Sequence, residues 1–82
     1  MNNSFYNDFA ARFAAGTLTS LVESFNNQVG KRGFNSARAA YDQALIDELV
    51  RRDIDVSAVF DGTALSFAHH VELDNNRLII KK

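Results

Sequence analysis

The carboxyl-terminal third of the chain constrains the fold most. From Leu65 to Leu73 the side chains alternate: Leu65, Phe67, His69, Val71 and Leu73 fall on one side, and Ser66, Ala68, His70 and Glu72 on the other. A strict period of two over this length marks a strand with one buried face. Asp74-Asn75-Asn76 follows as a turn, because asparagine tolerates positive φ. Arg77-Leu78-Ile79-Ile80-Lys81 is then the return strand. The pattern predicts an antiparallel β-hairpin with strands at about 64–73 and 77–81. With Asn75 and Asn76 at the centre of the turn, Leu73 faces Leu78 and Val71 faces Ile80, while Glu72 and Ile79 share the opposite face. A slip of one residue would bury Glu72, so the pairing is specified.

A two-stranded hairpin is only marginally stable in water. Its apolar face needs a helical layer or a third strand, and the patch Ile54, Val56, Val59, Phe60 is the local candidate for a strand or a helical turn. Failing that, an open edge invites a strand from another chain. Size adds to this demand. A domain of 82 residues buries only about 60–65% of its unfolded surface, and the absence of cysteine excludes both a disulfide framework and thiolate metal sites. Seven Phe and two Tyr supply core volume, and with no Pro in the chain, Gly and Asn carry the turns.

The preceding residues read as helices at about 4–15, 17–28 and 36–52. In the first, Ser4 is placed to cap, and Phe5, Phe9 and Phe13 recur every four residues with Ala10 and Ala14 beside them. This stripe reads first as core and second as an anchor for a partner's groove. Gly16 suits the left-handed position that ends a helix. Leu18, Leu21, Val22 and Phe25 define the second helix, starting at Thr17 or at Ser20. The sequence leaves open whether 4–28 is two helices or one bent at Gly16. The third helix is capped by Asn35 or Ser36. Ala37, Ala40, Tyr41, Ala44, Leu45 and Leu49 form its apolar face, and Asp42, Gln43, Asp47 and Glu48 its solvated side, with Arg51 and Arg52 in the last turn. The expected architecture is α+β: a single small domain spanning 1–82, helices first, hairpin last, with the strands packed on the helices.

Function is read by elimination. The net charge of −1 and the absence of any long apolar run argue against disorder and a membrane span. The amino terminus lacks the basic flank of a secretory signal, so a cytoplasmic location is expected. His69 and His70 are neighbours on a strand and point to opposite faces, so they cannot share a metal; His69 is expected on the core side and His70 at the surface. Asp53, Asp55 and Asp61 lack the spacing of a calcium loop and read as capping and turn residues. No cofactor or metal is implied, and no serine or histidine stands in a recognisable catalytic arrangement, so no enzyme activity is expected.

Gly30-Lys31-Arg32-Gly33 precedes a helix start, where Lys31, Arg32 and Arg38 can converge on an anion, yet it lacks the spacing of a phosphate-binding loop. An isoelectric point near 6.0 argues against nucleic acid. The resulting expectation is a non-catalytic protein-interaction or regulatory domain, binding a protein or a second copy of itself through the hairpin edge. The alternative is a weak nucleic-acid or anion-binding module at 30–38. The candidate interaction surface comprises Lys31, Arg32, Phe34, Arg38 and Ile79.

Overall fold

The computed structural model describes residues 4–31, 35–62 and 64–81. Three helices, α1 (Ser4–Ala15), α2 (Leu18–Asn26) and α3 (Ser36–Arg51), precede an antiparallel hairpin of β1 (Val71–Leu73) and β2 (Leu78–Ile80). The hairpin packs on the helices, with α2 against β1 and α1 against α3. The architecture is the α+β arrangement expected from the sequence.

Residues 4–28 form two helices, and Thr17 supplies the start of the second: its hydroxyl accepts from the Ser20 amide at 3.1 Å, while the Ser20 hydroxyl donates to the Thr17 carbonyl at 2.8 Å. Gly16 is not in the left-handed region, contrary to expectation; among the described glycines only Gly30 and Gly62 have positive φ. A Cβ at Gly16 would lie 2.9 Å from the Ser20 hydroxyl and 3.4 Å from the Phe13 carbonyl, so a larger residue there would have to turn the Ser20 side chain away from the Thr17 carbonyl. The proposed Ser4 cap concerns a side chain outside the described residues. Asn35, rather than Ser36, caps α3, accepting from the Arg38 amide at 2.9 Å.

Phe25, Leu21, Leu45, Ile46, Leu49 and Val71 are the large side chains most completely buried. They join α2, α3 and β1 in one cluster with Ile54, Val56, Val59 and Leu78. Tyr41 of α3 sits between Phe9 and Phe13 of α1, with both ring centroids 5.0 Å away and edge-on, a favoured aromatic geometry. Phe67 lies 4.6 Å from Phe25. The aromatic stripe of α1 is therefore core at Phe9 and Phe13, whereas Phe5 remains 56% exposed.

The hairpin register is Val71↔Ile80, Glu72↔Ile79 and Leu73↔Leu78. Asp74 and Arg77 exchange both backbone hydrogen bonds, at 2.8 and 3.1 Å, around Asn75 and Asn76 with φ of 50° and 64°, the pair of left-handed residues that a type I′ turn requires. The first strand is shorter than the alternation predicts. In this register His70 already meets Lys81, whose amide it accepts, and positions before 69 find no residue of the return strand to pair with. Residues 65–67 fold back on the 56–60 turn instead: Ser66 donates to the Val59 carbonyl at 2.8 Å and Phe60 bridges Leu65. Leu65 and Phe67 still pack on the core, but the chain bends at 68–69 and His69 is exposed, not inward-facing.

Residues 54–60 combine the two readings of that patch. Asp55 forms a one-residue parallel bridge beside β2, its amide donating to the Asn76 carbonyl and its carbonyl accepting from Leu78 at 2.8 and 2.9 Å. Val56–Phe60 then closes a helical turn.

One polar cluster ties α1 to α3. The supposedly solvated side of α3 is partly inside: Glu48 is 5% exposed and Asp42 is 4% exposed. Arg52 donates from Nε to Glu48 at 2.6 Å and from Nη2 to the carbonyls of Phe13, Ala14 and Gly16 at 3.0, 3.3 and 2.7 Å. Phe13 and Ala14 lie in the last turn of α1, whose carbonyls lack the regular partner of the helix interior, and Gly16 follows it; the Phe13 carbonyl also accepts from the Gly16 amide at 3.0 Å. Arg52→Ala is expected to lower stability by about 2–3 kcal/mol, because it uncaps α1 and strips a buried carboxylate of one of its cations. Urea unfolding at pH 7 measures this; a loss within error would refute the tie.

Candidate functional site

An open cleft of about 450 Å³ lies between α1 and α3. Tyr6, Ala10 and Ala14, spaced four apart, line one wall together with Ala11. Ala44 and Glu48, with Asp47 and Arg51 one turn on from each other, line the facing wall. The recess exists because Ala10, Ala11 and Ala14 of α1 face Ala44 of α3, and their methyl groups cannot fill the space between two backbones. The sequence reading missed it by assigning Ala10 and Ala14 to the core stripe; Ala14 is exposed and Ala10 half-buried. The available signal was alanine at four-residue spacing, offset from the aromatic positions.

The inner end of the cleft is charged but compensated. Arg51 reaches Glu48 from Nε at 3.1 Å and from Nη2 at 2.9 and 2.7 Å, adding to the Arg52 contact. Burial alone would push the Glu48 carboxyl up; the hydrogen bonds and charges of Arg52 and Arg51 outweigh it and hold the group below the ordinary glutamate value. At the outer rim the Tyr6 hydroxyl donates to Asp47, which also accepts from Gln43 at 2.8 Å. The bond to Asp47 raises the Tyr6 pKa, with burial and the Asp47 charge adding to it. Asp47 has no ion-pair partner among the described residues.

The surface anticipated at 30–38 is arranged differently. Arg38 is half-buried and its guanidinium turns into the fold. It donates to the carbonyls of Gln28 and Lys31 at 3.3 and 3.4 Å, lies 5.8 Å over the Phe67 ring and sits 3.7 Å from Asp42. Lys31 is exposed, so the two cations do not present a common face. Arg32 and Phe34 lie outside the described residues. Ile79 is half-buried on β2, opposite Glu72.

Asp55 accepts from the Ser57 amide at 2.8 Å and Asp61 from the Ala64 amide at 2.7 Å, so both serve as turn residues. Among the described residues no three His, Asp or Glu side chains gather where they could hold a metal ion, and no helix is long and apolar enough to cross a membrane.

Comparison with protein-family models, with curated proteins and with solved structures finds no match to this chain.

Asp42 gives this region a pH dependence. Its burial, only partly offset by the Arg38 charge, raises its pKa to about 6, and its Oδ1 has no hydrogen-bond partner among the described residues. An acid whose folded pKa is raised binds its proton more tightly in the native state, so its effect on stability worsens as pH rises from about 4 to about 6. Above that range the buried charge costs about 3 kcal/mol, from the size of the shift. Asp42→Asn is therefore expected to stabilise the protein at pH 7.5 by about 1–3 kcal/mol, a range that already includes the Arg38 attraction, with the gain gone by pH 4. Glu48, with its lowered pKa, contributes with the opposite sign: its stabilisation is complete above the ordinary glutamate range and is lost as pH falls below it. Unfolding of Asp42→Asn and Glu48→Gln across pH 3–8 separates the two limbs; parallel profiles would contradict the assignment.

Proposed function

We propose that this chain is a small non-catalytic protein-interaction domain whose docking surface is the α1–α3 cleft. The observation that carries this reading is the cleft's combination of an alanine wall on α1 with one carboxylate at its rim, Asp47, that has no ion-pair partner among the described residues. The recess has the volume to accept one or two apolar side chains of a partner, as anchor residues require. Asp47 stands beside it with both carboxylate oxygens fixed by Tyr6 and Gln43, so a partner cation would meet a preorganised acceptor. The chemistry that fits is a peptide segment presenting an apolar side chain next to a lysine or arginine.

The hairpin edges support this choice by being occupied. Asp55 covers β2 at Leu78, and the Asn26 side chain covers β1 at Val71. The anion reading at 30–38 is weakened because Arg38 is engaged by carbonyl oxygens and Asp42.

Selection of a displayed random-peptide library against the protein tests the proposal. The expected consensus is an apolar residue beside Lys or Arg. Ala14→Arg, which fills the recess from an exposed helical position, should leave unfolding within about 0.5 kcal/mol of wild type and abolish the enrichment. Asp47→Asn should weaken the same peptides by roughly tenfold, equal to about 1.4 kcal/mol. Equal enrichment by wild type and Ala14→Arg would remove the cleft from consideration. Salt-sensitive retention on DNA or RNA would favour the 30–38 reading instead.

A further inference from the structure

Asp42 and the turn that follows α2 meet at one guanidinium. Asp42 is 4% exposed, and its Oδ1 has no hydrogen-bond partner among the described residues. Its Oδ2 lies 3.7 Å from Arg38 Nε, longer than a charge-assisted hydrogen bond. The terminal nitrogens of the same guanidinium donate to the Lys31 and Gln28 carbonyls, and the group lies over the half-buried Phe67 ring. Arg38 therefore spans the distance from a poorly solvated carboxylate to the 28–31 turn. The turn's own bonds are short in range: the Gln28 and Lys31 amides donate to the Phe25 and Gln28 carbonyls at 2.9 and 3.1 Å, and Gly30 supplies a positive φ of 78°. Such bonds do not tie a turn to the rest of a fold. Arg38 does so, together with the half-buried Val29 that packs on the core.

We infer that Arg38 is a clasp that closes the 28–31 turn against Asp42, and that ionisation of Asp42 loosens it, so that the turn opens locally as pH rises. This rests on the α2–α3 corner and not on the cleft. The sign follows from where the proton binds more tightly. With the turn closed, burial outweighs the Arg38 attraction and raises the Asp42 pKa to about 6; opened to water, the carboxyl returns to its ordinary value of 3.8. The closed form is thus favoured at pH 4, and its advantage shrinks by roughly a hundredfold as pH rises past 6. Arg38, on the same helix, is the charged group that acts on Asp42. The 28–31 turn faces the guanidinium with two carbonyls and carries the exposed Lys31, and Phe67 brings no charge. Among the described residues no ion pair joins Asp42 to α1, α2 or the hairpin.

Native-state amide exchange of the full chain, with increasing denaturant below the unfolding transition, tests the inference by separating local from global opening. At pH 7 the Gln28 and Lys31 amides should exchange through an opening insensitive to denaturant, while the Ile54 and Leu78 amides, bonded to the Leu49 and Asp55 carbonyls, exchange only through denaturant-dependent unfolding. After correction for intrinsic rates, the local opening should become roughly a hundredfold rarer in wild type between pH 7 and pH 4. In Asp42→Asn it should be rare at both. Arg38→Gln should leave the turn amides open even at pH 4, with Ile54 and Leu78 still protected. A turn that opens only together with Ile54 and Leu78 overturns the inference, because no local step would exist. So does a local opening with the same pH profile in wild type and Asp42→Asn, or one that Arg38→Gln leaves unchanged at pH 4.

Discussion

The buried carboxylate of Glu48 is the constraint around which the helical layer is arranged. An ionised side chain taken out of water is tolerated only if cations and hydrogen bonds replace its solvation. Arg51 and Arg52 provide both, but at unequal depth: the Arg51 side chain remains 66% exposed, whereas Arg52 is drawn inward. Once Arg52 is fixed by Glu48, its remaining amino group is directed at the carbonyls that end α1. The place where α1 stops, its contact with α3 and the floor of the cleft between them therefore follow from one ion cluster. The edge-on packing of Tyr41 between Phe9 and Phe13 fixes the same helix pair from the core side.

The other buried acid works in the opposite sense. Asp42 stands six residues earlier on the same helix, with a more distant cation and an oxygen without a hydrogen bond among the described residues. Glu48 has been given partners sufficient to keep its charge; Asp42 has not, and its proton affinity rises accordingly. Two carboxylates on one helix thus differ through their surroundings alone: with these two groups, stability falls as pH rises from about 4 to about 6 through Asp42 and falls below the ordinary glutamate range through Glu48, so the maximum lies near the ordinary carboxylate range and not above it.

What could be read from the sequence was what local rules decide. The hairpin register follows from Asn75-Asn76 and the apolar alternation on either side, and both act over a few residues. The span of α3 and its Asn35 cap were legible for the same reason. The length of β1 was not, although the arithmetic of the register already limits it: with His70 opposite Lys81, alternation at 65–67 has to be satisfied by another partner. The burial of Asp42 and Glu48 was hidden because Arg at three or four residues' distance looks the same on a solvated face as on a covered one. For Glu48 the cover comes from α1, more than thirty positions away in the chain. Of the anticipated surface, the inward turn of Arg38 was hidden for a related reason: a cation beside a glycine-rich loop gives no sign in sequence that the carbonyls of Gln28 and Lys31 will accept from it.

Short elements leave many backbone groups without regular partners, and this chain closes them with side chains drawn from elsewhere. Arg52 closes the end of α1, Thr17 and Asn35 begin α2 and α3, Asn26 completes the outer side of β1, and the Asp55 backbone does the same for β2. Each of these groups is fixed by its structural task and is thereby withdrawn from recognition. The α1–α3 recess differs because its α1 wall is largely alanine methyl groups with nothing to satisfy, because the Glu48 and Arg51 charges on its α3 wall compensate each other, and because Asp47 at its rim is held in position without an ion-pair partner among the described residues. In a fold where polar groups are so largely committed, that combination is why the proposed docking surface is placed there rather than on the hairpin edges.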